Sequence, residues 1–478
     1  MNPTQSRSYD ILWMSLAILP LIALSCLFPI IPQDYWWLLR VGQETIRQAA
    51  VPTIETMSWT SAGQPIVYEP WLAGVFFWWA HAWGGASLTF LVRALLIGLT
   101  YGLIWSAARN SAGPRLATIL VVILGFASSN NWQMRAQLFA YPLFAFCLLA
   151  LLKWQSGNNR WLWGIPLATL LWVNVHGSYI LVFLLAGAAL VFGKESRRAL
   201  AITLALMFAA TLVNPQGIRL WGHVAFMLTT PSNQAYSLEW QPPVNAGWQM
   251  NIFFAWTLLF APLAAFSSRK LSPLEWVWFL GFGWLAFSGL RYVIWFLFIL
   301  TVLTARPLAE LTRHKLDSPV KISSPAFNIA LACLFIPLSL LYLPGLRDRW
   351  WPEAPSPYSM DLTPFGAETW LKEHPNIPGP LWNDYIFGSY LLFALPSRPI
   401  SIDSRFFPFP ARQMQEYQEI SRGSTAWESA FDRDGINLLL LSPERQPKLI
   451  DQVEASSKWC EQYRDEIAVI FSRCEPVQ

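Results

Sequence analysis

The sequence predicts an all-α polytopic membrane domain followed by a small α/β domain, and three observations carry that prediction. Hydrophobic residues fill 54% of the 478 positions and charged residues only 13%, with a mean hydropathy of +0.35. A soluble chain carries about 25% charge. So little charge cannot cover a water-facing surface, which excludes an ordinary soluble enzyme and a disordered chain. The charge is also uneven. Residues 1–344 hold 20 Lys and Arg against 10 Asp and Glu, whereas 345–478 hold 13 against 19. Finally, long apolar runs recur through the first part and stop before the second. The expected division is 1–344 as the transmembrane domain, with a long outer loop at 33–86, and 345–478 as a soluble domain large enough for its own core.

A spanning helix needs about 20 mainly apolar residues. Eleven segments are candidates, several of them short enough to imply tilted or partly buried helices: 11–32, 87–107, 116–131, 137–153, 161–175, 177–193, 198–214, 251–267, 273–289, 292–305 and 325–344. The first follows Arg7 and lacks a small-residue cleavage site, so it reads as a retained span rather than a signal peptide. The apolar run 70–86 starts at Glu69-Pro70 and ends at Gly84-Gly85, and reads as an interfacial helix that does not cross. With the N-terminus inside, fourteen Lys and Arg, from Arg7 and Arg109 to Arg269, Lys270, Arg313, Lys315 and Lys321, fall on inner loops. Six fall outside: Arg40, Arg47, Arg93, Arg135, Arg219 and Arg291. This bias supports an odd number of spans and an extracytoplasmic tail.

The tail reads as mixed α/β. "TPFGAETWLKEH" and "ARQMQEYQEISRG" are helical, "RPISID", "INLLLLS" and "EIAVIFSR" read as strands, and "YIFGSYLLFAL" suits either. Cys26, Cys147 and Cys333 sit in apolar runs as small hydrophobes. Cys460 and Cys474 both lie in the tail, where an extracytoplasmic location would let them pair. No Cys/His metal pattern, GxGxxG or GxxxxGK[ST] is present. The basic residues flank membrane spans, so nucleic acid is not an expected partner.

Polar residues collect at the outer ends. In "QDYWWLLRVGQETIRQA", Arg40, Glu44 and Arg47 share one helical face and Trp36, Leu39, Gln43 and Ile46 another, which reads as a helix on the membrane surface with Trp at headgroup level. Asp34, just after the first span, suits a helix N-cap, a general base, or both. Glu55 and Glu69 lie on the same loop. Each can solvate a turn, or together with Asp34 supply a second carboxylate, an acceptor contact or a divalent-metal site. "NWQMRAQ" places Arg135 at an outer boundary, "NVHGS" places Asn174, His176 and Ser178, "VNPQG" places Asn214, and "SGLRY" places Arg291. Singly, such an arginine snorkels to lipid phosphate and such a histidine is structural; together, cationic groups suit a phosphate or diphosphate. In the tail, Asp403 and Arg405 follow an expected strand and either lock their loop or, with Asn383, roof a site.

The layout and the segments "QDYWWLLRVGQ…VPTIETMSWTSAGQPIVYEPWL", "WVNVHGSY" and "NDYIFGSYL…ISIDSRF" resemble the GT-C integral membrane glycosyltransferases, in a bacterial branch. That superfamily includes protein O-mannosyltransferases, aminoarabinose transferases and oligosaccharyltransferases. The resemblance implies a polyprenyl-phosphate-linked sugar as donor, chemistry on the outer face of a bacterial inner membrane, and Asp34 as the loop-one catalytic acid. The chain departs from the usual paired acid, since Gln33 and Tyr35 flank Asp34. Two other readings remain open: a lipid-linked-substrate transporter or flippase, and a non-catalytic subunit of an envelope complex. A transporter places polar residues at mid-membrane, and here the span interiors are nearly uncharged.

Overall fold

The structure is a computed structural model and describes residues 3–230, 237–268, 270–316 and 325–474. Arg269 and Lys321, expected on inner loops, lie outside the described residues. The chain divides into two compact units: Met1–Phe28, Ala80–Gly222 and Ser237–Ala354 form the first, and Pro29–Trp79, His223–Tyr236 and Pro355–Gln478 the second. The boundary therefore differs from the sequence expectation, because most of the first loop shares a unit with the tail.

Unit one is helical. Its elements are α1 (Pro3–Ser25), the later part of α3 (Trp71–Ser128), α4 (Gln137–Gln155), α5 (Gly164–Val175), α6 (Ile180–Phe192), α7 (Arg197–Thr211), α9 (Gly247–Phe266), α10 (Pro273–Ser288), α11 (Val293–Leu316) and α12 (Pro325–Leu341); α2 (Asp34–Gln48) belongs to unit two, and α8 (Arg219–Thr229) runs from unit one into unit two. Non-helical backbone at Gly84, Gly85 and Gly113 divides α3 into three helical stretches. The break at Gly84-Gly85 is where the sequence ends the interfacial run. Among the described residues, four helical segments are long and apolar enough to cross a membrane: Trp71–Asn131, Gln137–Gln155, Gly247–Phe266 and Leu290–Thr312.

The unit's centre is aromatic. Phe144 and Trp295 have ring centroids 5.2 Å apart, and Trp172 and Trp295 5.8 Å. Three of its indole N–H groups are satisfied internally: Trp278 donates to the Leu185 carbonyl (3.0 Å), Trp256 to Thr304 Oγ1 (3.0 Å) and Trp105 to Thr118 Oγ1 (3.0 Å). A bilayer interior offers no water to replace these bonds.

Unit two holds a four-stranded sheet of order β1-β2-β4-β3, from β1 (Leu381–Asn383), β2 (Leu438–Leu441), β3 (Trp459–Arg464) and β4 (Val469–Arg473). β1 pairs parallel with β2, and β4 pairs antiparallel with both β2 and β3. The helices α13 (Phe365–Glu373), α14 (Tyr385–Ala394), α15 (Ala411–Ser421), α16 (Trp427–Arg433) and α17 (Pro447–Glu454) accompany it. Trp382, Tyr417, Phe431, Leu439, Leu449, Val469 and Phe471 fill the core. Cys460 and Cys474 are joined by a disulfide.

"RPISID" is not a ladder strand. Ile400 forms an isolated bridge with Ser58, because its hydrogen bonds run to the first loop: Trp59 N–H to the Ile400 carbonyl (3.0 Å) and Ile400 N–H to the Met57 carbonyl (3.2 Å). The helix at 34–48 is correct in extent, but it is not a lipid-facing anchor. Trp36 is buried against Tyr358, Tyr390 and Phe393, with centroids 5.0–5.3 Å away. Two glycines set how α2 meets the start of α3: a Cβ on Gly42 would lie 2.2 Å from the Gly74 carbonyl oxygen, and one on Gly74 2.7 Å from the Leu38 carbonyl oxygen.

Candidate functional site

In unit two, the first loop and the tail meet around Arg405. Gly388 allows α14 to lie against the 402–403 backbone, where a Cβ would come within 2.0 Å of the Ile402 oxygen. Asn383 then ties β1 to this segment: its Nδ2 donates to the Ile402 carbonyl (2.9 Å), and its Oδ1 accepts from Ser401 N–H (2.9 Å) and Ser401 Oγ (3.0 Å). With the segment fixed, Arg405 donates through Nη2 and Nε to Asp403 (2.6–3.0 Å) and through Nη1 to Glu55 Oε2 (2.8 Å) and the Tyr68 hydroxyl.

Glu55 is further held by Met57 N–H (2.7 Å) and Ser58 N–H (2.9 Å), while Tyr68 donates to its Oε2 (3.2 Å). The side chains of Glu55, Asp403 and Arg405 are fully buried. Burial alone would raise the pKa of Glu55, but the Arg405 charge and the hydrogen bonds from Arg405, Ser58 and Met57 hold it below the usual glutamate value. Burial pushes Asp403 upward against the pull of Arg405, with Glu55 adding to the rise. Two carboxylates and one guanidinium, all dry, form a clamp whose lone pairs are committed to protein donors.

Asp34 stands differently. It is the first residue of α2 rather than its N-cap, which is Gln33, and its Oδ1 accepts from Trp37 Nε1 at 3.2 Å. The N-cap role expected for it is therefore not the one it has. It is half-buried, one turn from Trp37, which itself packs on Tyr68 and Phe407. Glu69 directly follows Tyr68, just before α3, and is also half-buried. Among the described residues, no three His, Cys, Asp or Glu side chains gather as a metal-binding group. The first-loop carboxylates therefore form no such group.

In unit one, Arg135 and Arg291 are tied to one short turn, and His176 lies within electrostatic reach of both. Arg135 precedes α4 and pairs with Glu239. Arg291 lies in the turn before α11 and stacks over Trp240, 4.1 Å from the ring centroid. Both partners sit in the short turn Leu238–Trp240, and Leu290 N–H binds the Gln241 carbonyl at 2.9 Å, which joins that turn to the Arg291 turn. His176 ends α5. Its Nδ1 accepts from Ser178 N–H (3.0 Å) and lies 2.7 Å from Ser178 Oγ, which itself accepts from Trp172 Nε1 (3.0 Å). An Nδ1 that accepts a backbone N–H places the ring proton on Nε2.

Burial, then the charges of Arg291 and Arg135, drive the His176 pKa well below its ordinary value. Half-buried and beside two arginines, one of them paired with Glu239, His176 is disfavoured as an imidazolium. Asn174 Nδ2 binds the Val213 carbonyl (2.9 Å), and Asn214 Oδ1 accepts from Gln216 N–H within its own turn (2.7 Å), so both shape the surrounding turns.

The structure therefore brings Glu55 to Asp403 and Arg405 in one unit, and ties Arg135 and Arg291 to one short turn within electrostatic reach of His176 in the other. The partners that hold them were not legible in the sequence. Tyr68 is 337 positions from Arg405, and Glu239 and Trp240 sit in a loop with no motif.

No family model matches the chain, and no curated protein sequence does. Solved structures do match in fold. The oligosaccharyltransferase AglB from Archaeoglobus fulgidus, in complex with an inhibitory peptide and a dolichol-phosphate, superposes with a TM-score of 0.61 at 11% identity over 97% of this chain and 75% of its own. ArnT from Cupriavidus metallidurans in the apo state gives 0.56 at 13% identity, over 97% of each chain; a second structure of it is bound to undecaprenyl phosphate. The arabinofuranosyltransferase AftD from Mycobacteria gives 0.61 at 14% identity, over 98% of this chain and 40% of its own. All three are GT-C glycosyltransferases, and this chain shares their fold.

Proposed function

We propose that the protein is a membrane glycosyltransferase that moves a sugar from a polyprenyl-phosphate donor to an acceptor on the outer face of a bacterial inner membrane. The observation that carries this reading is that Arg135 and Arg291 are both held on one short turn, within electrostatic reach of His176, in a unit of GT-C fold. Two guanidinium groups and an imidazole N–H are donors suited to a lipid-linked phosphate. AglB and ArnT, which share the fold, have structures that contain lipid phosphates.

In the proposed reaction, Asp34 removes the proton of an acceptor hydroxyl or amine. That heteroatom forms its bond to the anomeric carbon as the bond from that carbon to the phosphate oxygen breaks. Arg135 and Arg291 stabilise the charge left on the departing polyprenyl phosphate, the type of term that contributes most in such sites. Asp34 is the carboxylate assigned as base because Glu55 is committed to Arg405. Glu69 is kept as a candidate acceptor contact. Asp403, Arg405 and Asn383 fix the first loop against the tail. No step is routed through a metal.

The reading includes eleven spans, a cytoplasmic N-terminus and an extracytoplasmic tail. The excess of Lys and Arg on the assigned inner loops supports that orientation, and so does the Cys460–Cys474 disulfide, a bond of oxidising compartments. The test uses purified chain in nanodiscs with a panel of polyprenyl-phosphate sugars. Asp34→Asn should bind the donor as the wild type does and lose transfer by about 10²–10⁴-fold, the range of a general base. Transfer retained in Asp34→Asn removes Asp34 from the chemistry; failure of every donor to bind overturns the donor assignment.

A further inference from the structure

Unit two contains a cavity of about 220 Å³ that none of the roles above uses. Asp384 and Tyr385 at the start of α14, Phe406, Tyr417 and Arg422 at the end of α15, and Arg445 after β2 line it. Pockets for drug-sized ligands run to about 300–1,000 Å³, so this one suits a single ring.

Phe406 is the informative wall. Its φ is +54°, a left-handed conformation that a bulky side chain rarely adopts. It follows Arg405, whose guanidinium and N–H are both pinned by Asp403, so the clamp holds the backbone there. The result sets the Phe406 ring beside Tyr385, with centroids 6.0 Å apart and planes at 39°. Tyr385 is fixed in turn by its N–H, which donates to the Tyr417 hydroxyl at 2.8 Å. Strained residues held by over-determined surroundings cluster at binding sites.

The charges are also specific. Asp384 engages Arg445 through both oxygens (2.8–3.2 Å) and accepts from Ile386 N–H (3.0 Å), so that pair is internally neutral. Arg422 is exposed at the cavity's edge; its backbone N–H caps α15 on the Gln418 carbonyl (3.1 Å), and its guanidinium has no hydrogen-bond or ion-pair partner among the described residues. The lining is thus aromatic on one side and carries a surplus cation on the other.

We propose that this cavity binds one acidic sugar residue of a glycan, its ring against Phe406 and Tyr385 and its carboxylate or phosphate on Arg422. Aromatic faces accept the C–H-rich face of a sugar ring, and a guanidinium fork matches a carboxylate or phosphate. This goes beyond sugar transfer and does not depend on Asp34, because it is read as binding without turnover.

The experiment is saturation-transfer NMR on the full-length chain in detergent. The probes are methyl β-glucuronide, methyl β-galacturonide and glucose 6-phosphate, with methyl β-glucoside as the neutral comparison. At least one acidic probe should bind at least 10-fold more tightly than the glucoside. Arg422→Gln should weaken that binding about 10-fold. Phe406→Gly should also weaken it, with a cooperative thermal transition retained as the check on folding, since the ring also packs against the unit-two core. Arg433→Gln, an exposed arginine paired with Glu416 and Asp434, should leave binding unchanged. No binding of any acidic probe, equal binding of the glucoside, or undiminished binding to Arg422→Gln overturns the proposal. Asp34→Asn should bind as the wild type does, so failure here and failure of the transfer reaction are distinguishable.

Discussion

Arg405 and Arg291 both lie beside aromatic rings, yet their surroundings differ in kind. Arg405 is fully buried in unit two, 5.9 Å from the Tyr68 ring centroid, with two carboxylates on its fork. Arg291 is half-exposed in unit one, stacked on Trp240, and lies with Arg135 within electrostatic reach of His176. Like charges held together at a half-open position cost stability, whereas opposite charges in a dry clamp hold distant chain segments in register. In the first, Arg135 is paired with Glu239 at the half-open position; in the second, both carboxylates are closed on Arg405 away from water.

The largest effect should come from breaking the clamp. Arg405→Met leaves Glu55 and Asp403 buried together without a counter-charge, which costs about 3–5 kcal/mol. A thermal scan of the detergent-solubilised chain should show a large loss of stability, and an unchanged midpoint would mean that the clamp does not hold unit two. Arg291→Ala should do the reverse. Stability should change by less than about 1 kcal/mol, the value of an exposed cation–π contact. Binding of a polyprenyl-phosphate sugar should weaken roughly 10- to 100-fold, for loss of a charge-assisted bond worth about 1.5–3 kcal/mol. If both variants lose stability equally, the contrast between the two arginines fails. Gly42→Ala tests unit two apart from its charges. The new Cβ meets the Gly74 carbonyl at 2.2 Å, so α2 must shift, at a cost of about 1–3 kcal/mol visible in the same scan.

What the sequence revealed follows from the range over which each signal acts. Apolar runs and turn residues are local, so the helical unit, the helix at 34–48, the break at Gly84-Gly85 and the β2 and β4 strands were all legible. β3 was not, because "WCEQYR" is exposed on most of its length and carries no alternation of apolar residues. The three-residue β1 was too short to register. The role of Trp36 was misread because amphipathicity reports that a face is buried but not against what: tail aromatics took the place of lipid. The clamp joins positions 350 apart. The sequence sets Asp403 and Arg405 as a pair, yet nothing local marks Glu55 as completing it. The environment of His176 likewise depends on Ser178 and on two arginines from other elements, and in the sequence these residues are marked only as lying at the ends of apolar segments.

The smallest expected effect is the most specific to the clamp. Glu55→Gln keeps the shape and one acceptor oxygen, and Asp403 still neutralises Arg405, so the loss near pH 7 should be about 1 kcal/mol, the scale of one hydrogen bond. Its sign with pH is fixed by linkage. The folded-state pKa of Glu55 is depressed, so the stabilisation it supplies is complete above the unfolded glutamate value of about 4.3 and is lost as pH falls through the lower, folded value. Asp403, raised mainly by burial, contributes with the opposite sign in both proteins, so only the part of its rise that Glu55 adds, the smallest of its causes, enters their difference. The gap in thermal midpoint between wild type and Glu55→Gln should therefore be constant from neutral pH down to about pH 5 and close on further acidification. A gap that does not change across this range would mean that Glu55 acts through shape alone and that its charge contributes nothing to holding Arg405.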